Sequence, residues 1–323
     1  MKKILPVILV LLLIFSSCIH RQSINNNLPN NTTSNENINN QNQTDNKPKD
    51  NENTSKEDNQ STDETKEKVT DNEEEPSNEQ TKDDINVNAP NLSNKEIDFG
   101  PPPIKDHKPQ YMPKEIVELF KKYDAYYLGD TSKKEIYLTF DEGYENGYTS
   151  KILDILKEKN VKAAFFVTRP YILQNKELIK RMVEEGHIVA NHSSTHPSMP
   201  QKALDFEKFK KEFEDTEVAF KEVTGQDMPK FFRPPMGKYS ELSLYYTQKL
   251  GYKTIFWSFA HKDWLVNEQP PVETTIQRVL DRFHNGEIML LHAVSKSNTE
   301  ALPTIIDKLQ EMGYEFKPLT ALP

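Results

Sequence analysis

The sequence predicts an α/β fold, a distorted (β/α)7 barrel. Two observations carry this expectation. Short β-branched and aromatic runs alternate with segments of helical period between residues 136 and 319, and the chemically loaded side chains fall just after those runs. Alternation of this kind implies parallel strands joined by right-handed crossovers, and seven runs suit a barrel better than a small open sheet. In such a barrel the site is built from the loops at the C-terminal strand ends.

The chain opens "MKKILPVILVLLLIFSSC": two lysines, an apolar stretch from Ile4 to Phe15, then Ser16, Ser17 and Cys18. This pattern predicts a lipoprotein-like signal peptide over residues 1–18, since a membrane span needs about 20 apolar residues and this run is shorter and interrupted by Pro6. Cys18 is the one cysteine, so a disulfide framework is excluded. It stands where a bacterial lipoprotein signal carries its lipidated residue, although Phe15 occupies a place where Leu is usual. The expected location is extracytoplasmic and membrane-anchored, with plain secretion as the alternative.

Residues 19–99 are Asn, Thr, Ser, Glu, Asp and Lys with few apolar positions. Such a segment buries too little apolar surface to offset its conformational entropy, and it predicts a disordered linker with a span on the order of 50 Å. The first hundred residues hold 18 acidic and 10 basic side chains, which leaves 32 acidic and 31 basic for the remainder. The folded part is therefore nearly neutral, and a nucleic-acid partner is excluded as an expectation.

Residues 100–134 read as an N-terminal extension packing on the barrel, with a short amphipathic helix at 114–123 that uses Ile116, Val117, Leu119 and Phe120. The barrel domain is expected at 135–323. Its strands are "IYLTF" (136–140), "AAFFVT" (163–168), "HIVAN" (187–191), "FFRP" (231–234), "TIFWS" (254–258), "IMLLH" (288–292) and "YEFKPL" (314–319). Between them, Ile152, Leu153, Ile155 and Leu156 make one helical stripe. Gly186 marks a helix end, and Phe206, Phe209, Phe213 and Phe220 line the buried side of a long charged helix.

The strand ends carry the candidate chemistry. The first ends in Asp141 and Glu142; the third runs into "NHSSTHP" with His192 and His196; the fourth into "RPPMG" with Arg233. The fifth is followed by Asp263 and Trp264, and the sixth ends in His292. Two histidines four apart with a carboxylate from another strand suggest a three-ligand metal site with an open position, against the alternative of a surface histidine pair. Arg233 is suited to hold a carboxylate ionised or to make a structural ion pair. Asp263 would orient and charge His292 as an acid. Trp264 reads equally as a core aromatic or as one wall of a sugar-sized groove.

These residues resemble the polysaccharide deacetylase family (carbohydrate esterase family 4, the NodB-homology domain) over about residues 135–320, through "TFDEG", "HSSTH", "RPPMG", "DW" and "LLH". Longer stretches such as "EEGHIVANHS" and "LLHAVSKSNTEAL" are similar more narrowly to PdaA-type enzymes, which deacetylate N-acetylmuramic acid of peptidoglycan on the route to the muramic δ-lactam of the spore cortex. The resemblance implies a metal-dependent amidase with a divalent cation (Zn, or Co, Mn or Mg). Asp141 would be the general base, His292 the general acid, and Glu142, His192 and His196 the metal ligands. Arg233 would hold Asp141 and Asp263 would tune His292. The Met236 backbone N–H would donate to the oxyanion, and Leu290 would line the acetyl-methyl pocket. The implied partner is the peptidoglycan glycan strand after stem-peptide removal by an amidase, acted on by a monomer.

The chain departs from the family pattern at three positions. The family usually has Asp where this chain has Glu142, Tyr where it has Met236, and Asp where it has Ala260. Two other functions compete: deacetylation of N-acetylglucosamine in peptidoglycan or chitin-like oligomers, and glycan binding without catalysis.

Overall fold

The computed structural model describes residues 91–109 and 111–323. The expected signal peptide, Cys18 and most of the expected linker lie outside these residues. No helix among the described residues is long and apolar enough to cross a membrane.

In chain order the elements are β1 (Ile97–Asp98), α1 (Lys114–Lys122), β2 (Ala125–Tyr126), β3 (Glu135–Glu142), α2 (Thr149–Glu158), β4 (Ala164–Val167), α3 (Arg169–Gln174), α4 (Lys176–Glu184), β5 (Ile188–Asn191) and α5 (Met199–Lys202). There follow α6 (Phe206–Thr224), β6 (Phe231–Phe232), β7 (Lys238–Tyr239), α7 (Glu241–Lys249), β8 (Lys253–Ile255), α8 (Val272–Leu280), β9 (Glu287–His292), α9 (Lys296–Glu311) and β10 (Glu315–Phe316). All seven runs marked by the sequence are strands of one eight-stranded sheet. Every pairing within it is parallel, as the alternation with helices requires. The run at 231–234 is shorter than expected because Pro234 has no N–H to give a ladder.

The path β3-β4-β5-β6-β8 curls so that β9, paired to the far side of β3, returns towards β8. Beyond β8 the chain closes the ring by a parallel bridge between Phe259 and Met289, with Leu290 N–H donating to the Phe259 carbonyl at 2.9 Å. At the other end β2 lies beside β8, and Leu128 bridges to Glu287. Gly286 allows this close approach: its φ is 68°, and a Cβ there would lie 2.9 Å from the Asp130 backbone. The extension thus supplies an eighth strand that helps close the barrel, which is more than the surface packing expected of it.

Alternation along the strands sorts side chains between two layers. Ile136, Leu138 and Phe140 of β3 join Phe165, Val167, Val189, Met289 and Leu291 in the outer core against the helices. Tyr137, Ala164, Phe166, Ala190, Ile255 and Ile288 face the barrel interior. On β3, therefore, odd-numbered residues point inwards and even-numbered ones towards the helices.

The long helix α6 forms as the sequence predicts. Asp205 caps its start by accepting from Lys208 N–H at 3.2 Å, Gly225 ends it with φ 73°, and Phe209, Phe213 and Phe220 are buried. The linker boundary at residue 99 needs correction. Ile97–Asp98 pairs antiparallel with Lys238–Tyr239, and Phe99 is buried with its ring stacked 4.3 Å from that of Phe256. Ordered structure begins before residue 100 because Phe99 finds an aromatic cluster that includes Phe120, Tyr127 and Tyr239.

Candidate active site

One cavity of about 910 Å³ opens at the C-terminal ends of the strands. Asp141, His192, His196, Met236, Trp264, Leu290 and His292 line it, so seven of the predicted residues converge there. Arg233 and Asp263 lie just beneath, each fully buried in side chain and each holding one lining residue.

Asp141 faces the interior as its odd position on β3 dictates. Arg233 Nη1 donates to its Oδ1 at 2.7 Å. The guanidinium is itself fixed: Nε and Nη2 donate to the carbonyls of Ile255 and Phe256 at 3.1 Å each, and the group stands 4.2 Å from the Phe166 ring centroid. Burial alone would push the Asp141 carboxyl up. The Arg233 charge, with His192 and His292 nearby, outweighs it and holds the group below the usual carboxylate range. Asp141 is thus kept ionised in a largely buried position.

His292 ends β9 directly beside Asp141, its register partner. Asp263 Oδ1 takes a hydrogen bond from His292 Nδ1 at 2.7 Å, and Oδ2 takes the His292 backbone N–H at 2.9 Å. Burial would lower the His292 pKa, but the hydrogen bond and charge of Asp263 raise it above the ordinary value. With Nδ1 occupied, Nε2 is left for the cavity. Asp263 is held in turn by the Asn298 amide. Ser295 caps α9 by accepting from Asn298 N–H at 3.0 Å, and this sets Asn298 at the right turn. The sequence reading missed Asn298, for which the only signal was the S-x-x-N capping pattern.

His192 and His196 come from the loop after β5. Asn191 Oδ1 accepts from Ser193 N–H, Ser193 Oγ accepts from His196 N–H, and both Ser193 and His196 adopt positive φ. This tight turn brings the two rings to 5.0 Å. His192 Nδ1 donates to the Arg233 carbonyl at 2.8 Å, so Nε2 carries no proton and lies 3.7 Å from Asp141 Oδ2. Burial pushes His192 down to about 4 and lowers His196 as well, which leaves both rings neutral.

Glu142 is not with them. The strand continues through it, paired to Val167, so its even position turns the side chain to the helix layer. There Thr149 Oγ1 reaches its Oε1 at 3.3 Å, and its buried Oε2 has no hydrogen-bond partner among the described residues. Burial, reinforced by the neighbouring Glu145 charge, pushes its carboxyl well up towards the neutral form. The expectation of a Glu142–His192–His196 metal trio is therefore corrected: only the histidines face the cavity. Among the described residues no group of three His, Cys, Asp or Glu side chains stands ready to hold an ion. The residues present do not fit the three-ligand site that the resemblance implies.

Three further predicted residues, Met236, Leu290 and Trp264, also line the cavity. Met236 sits in a tight turn with φ 58°, which sets it on the cavity wall, half-exposed. Leu290 faces inwards from β9 and is nearly buried. Trp264 is half-exposed with its ring edge to His292 at 5.5 Å between centroids, which decides for a groove wall over a core aromatic. Tyr144 and Lys262 also line the cavity. Tyr144 follows the end of β3 by two residues and Lys262 stands in the loop after β8; the sequence reading assigned a role to neither.

This geometry sets a carboxylate held below its usual pKa beside a histidine raised above its own in one cavity, a disposition suited to general acid–base chemistry. The polysaccharide deacetylase model matches residues 128–255. The chain is 42% identical to the peptidoglycan-N-acetylmuramic acid deacetylase PdaA of Bacillus subtilis over 72% of its own length and 88% of that protein's. It is 30% identical to a peptidoglycan-N-acetylglucosamine deacetylase of Bacillus cereus over 62% of its length and 73% of that protein's. The solved structure of B. subtilis PdaA, a family 4 carbohydrate esterase, superposes with a TM-score of 0.69 at 41% identity, covering 72% of this chain and 98% of that one. Sequence, barrel and site agree, and the chain belongs to the polysaccharide deacetylase family.

Proposed function

We propose that this protein removes the acetyl group from N-acetylmuramic acid residues of peptidoglycan, as a step towards the muramic δ-lactam of a spore cortex. The observation that carries the chemistry is the pairing of Asp141–Arg233 with His292–Asp263 across one cavity. The PdaA relative, similar along nearly its whole length, supports the choice of sugar.

In this reading Asp141 takes a proton from water as its oxygen attacks the acetamido carbonyl carbon. The Met236 backbone N–H donates to the oxygen that becomes negative, as an oxyanion donor does. Leu290 receives the acetyl methyl, and Trp264 supports the sugar face. His292 then gives its Nε2 proton to the departing nitrogen as the C–N bond breaks, releasing acetate and a free amine. The amine is the group that would close on the lactyl carboxyl to form the lactam. Zn, Co, Mn or Mg remains the family's expected cofactor class, with His192 and His196 its proposed contacts. Lipidation at Cys18 and an extracytoplasmic position belong to the same proposal, because the substrate lies outside the membrane.

Mass spectrometry of muropeptides tests this directly. Glycan strands stripped of stem peptides by an amidase are incubated with wild type and with Asp141→Asn. Wild type is expected to leave muramic acid or its lactam, and the variant to leave the strands unchanged. The B. cereus relative favours a second reading, N-acetylglucosamine as substrate. Acetate loss confined to glucosamine would establish that reading in place of the first. Binding of strands without acetate release would instead indicate a non-catalytic glycan-binding protein.

A further inference from the structure

N-Acetylmuramic acid differs from N-acetylglucosamine by a lactyl ether on the carbon next to the acetamido group. A sugar whose amide lies between Asp141 and His292 therefore brings a carboxylate into the same cavity. The charged groups there are poorly disposed to receive it. Asp141 and Asp263 are carboxylates, Arg233 is buried and committed to Asp141, His292 is held by Asp263 and directed at the amide nitrogen, and burial lowers the pKa of His192, His196 and His261. Among the described residues that line the cavity, Lys262 is the one lysine or arginine. It stands two positions before Trp264, in the loop after β8 that also delivers Asp263. Its Nζ is 3.2 Å from Glu268 Oε2, and the two side chains are 59% and 67% exposed. An ion pair so solvated contributes little, so another carboxylate can replace Glu268 without a large penalty.

We propose that Lys262 is a specificity-determining residue that exchanges Glu268 for the lactyl carboxylate of the muramic acid ring being deacetylated. The inference rests on the muramic reading above and adds the group that recognises it. Glu268 is the built-in competitor for the ammonium, so an uncharged substrate leaves the Lys262–Glu268 pair intact.

The test uses the full chain and three probes: an oligosaccharide of alternating N-acetylglucosamine and N-acetylmuramic acid with free lactyl carboxylates, the same oligosaccharide with those carboxylates converted to methylamides, and chitotetraose. Lys262→Met is expected to raise KM about fivefold on the free-carboxylate probe, the scale of a partly solvated ion pair, with kcat little changed. It should leave KM on the methylamide probe unchanged. Lys262→Arg should restore the wild-type value, and Glu268→Gln should lower KM for the free-carboxylate probe alone. Equal KM shifts on the charged and neutral probes, or no shift on either, would overturn the role of Lys262. Failure of the muramic reading looks different: mass spectrometry of the products would then show wild type removing acetyl groups from the glucosamine residues of all three probes and leaving every muramic residue acetylated, and the inference would fall with that reading.

Discussion

Asp263→Asn removes one charge from the acid side of the site while keeping its shape. Asp263 has no exposed side-chain surface, and its Oδ1 lies 2.7 Å from His292 Nδ1. A hydrogen bond to a charged group contributes about 1.5–3 kcal/mol, and one pKa unit corresponds to about 1.36 kcal/mol, so the substitution should lower the His292 pKa by about 1–2 units. The sign follows from opposing effects: burial already pulls this pKa down, and Asp263 is what lifts it above the ordinary value. A general acid must be protonated, so the basic limb of kcat/KM against pH reports His292. With Asp263 the limb lies on the alkaline side of the ordinary histidine value; without it the limb moves to lower pH, and the rate above it falls about 10–100-fold. The acid limb, set by Asp141, should stay where it is. Initial rates of acetate release across pH give both limbs, and NMR titration of the His292 ring gives its pKa directly. A loss of activity uniform across pH, with the ring pKa unmoved, would refute the reasoning and leave Asp263 only a structural part.

Three further outcomes are expected. Arg233→Met leaves Asp141 as an uncompensated buried charge, which should cost about 3–5 kcal/mol in urea unfolding; in whatever protein still folds, the acid limb should move to higher pH because the Asp141 carboxyl loses the charge that holds it down. Glu142→Gln replaces a carboxyl already held towards its neutral form, so stability should change by no more than about 1 kcal/mol and kcat/KM by no more than about twofold, both measurable side by side with zinc uptake; collapse of zinc uptake would restore Glu142 as a ligand. Phe99→Ala removes a ring stacked at 4.3 Å on Phe256 and should destabilise the barrel by about 3 kcal/mol in thermal or urea unfolding; an unchanged midpoint would leave Phe99 outside the core.

Much of this protein is legible without coordinates because strands and helices write their periods into the sequence. The seven strand runs, the phenylalanine face of α6 and the strand-end position of Asp141, His192, Arg233 and His292 follow from alternation, helical spacing and the rule that barrel sites lie beyond the strands. Family motifs then attach roles to those positions. The Phe99 boundary was not legible in this way: one aromatic residue at the end of a polar stretch looks like linker until the cluster it enters is visible. The same holds for β2, too short for any period, whose partner lies more than a hundred residues away.

By itself, the sequence determined the class of fold, the cavity end of the barrel and most of the side chains that line it, since each depends on local periodicity or on motif identity. Only the tertiary structure decided which of two adjacent carboxylates faces the chemistry. Asp141 and Glu142 are neighbours in sequence, but β3 stays paired through residue 142, and a strand sends successive side chains to opposite faces. Asp141 therefore meets Arg233 and His192 in the barrel, and Glu142 is left among the helices with Thr149.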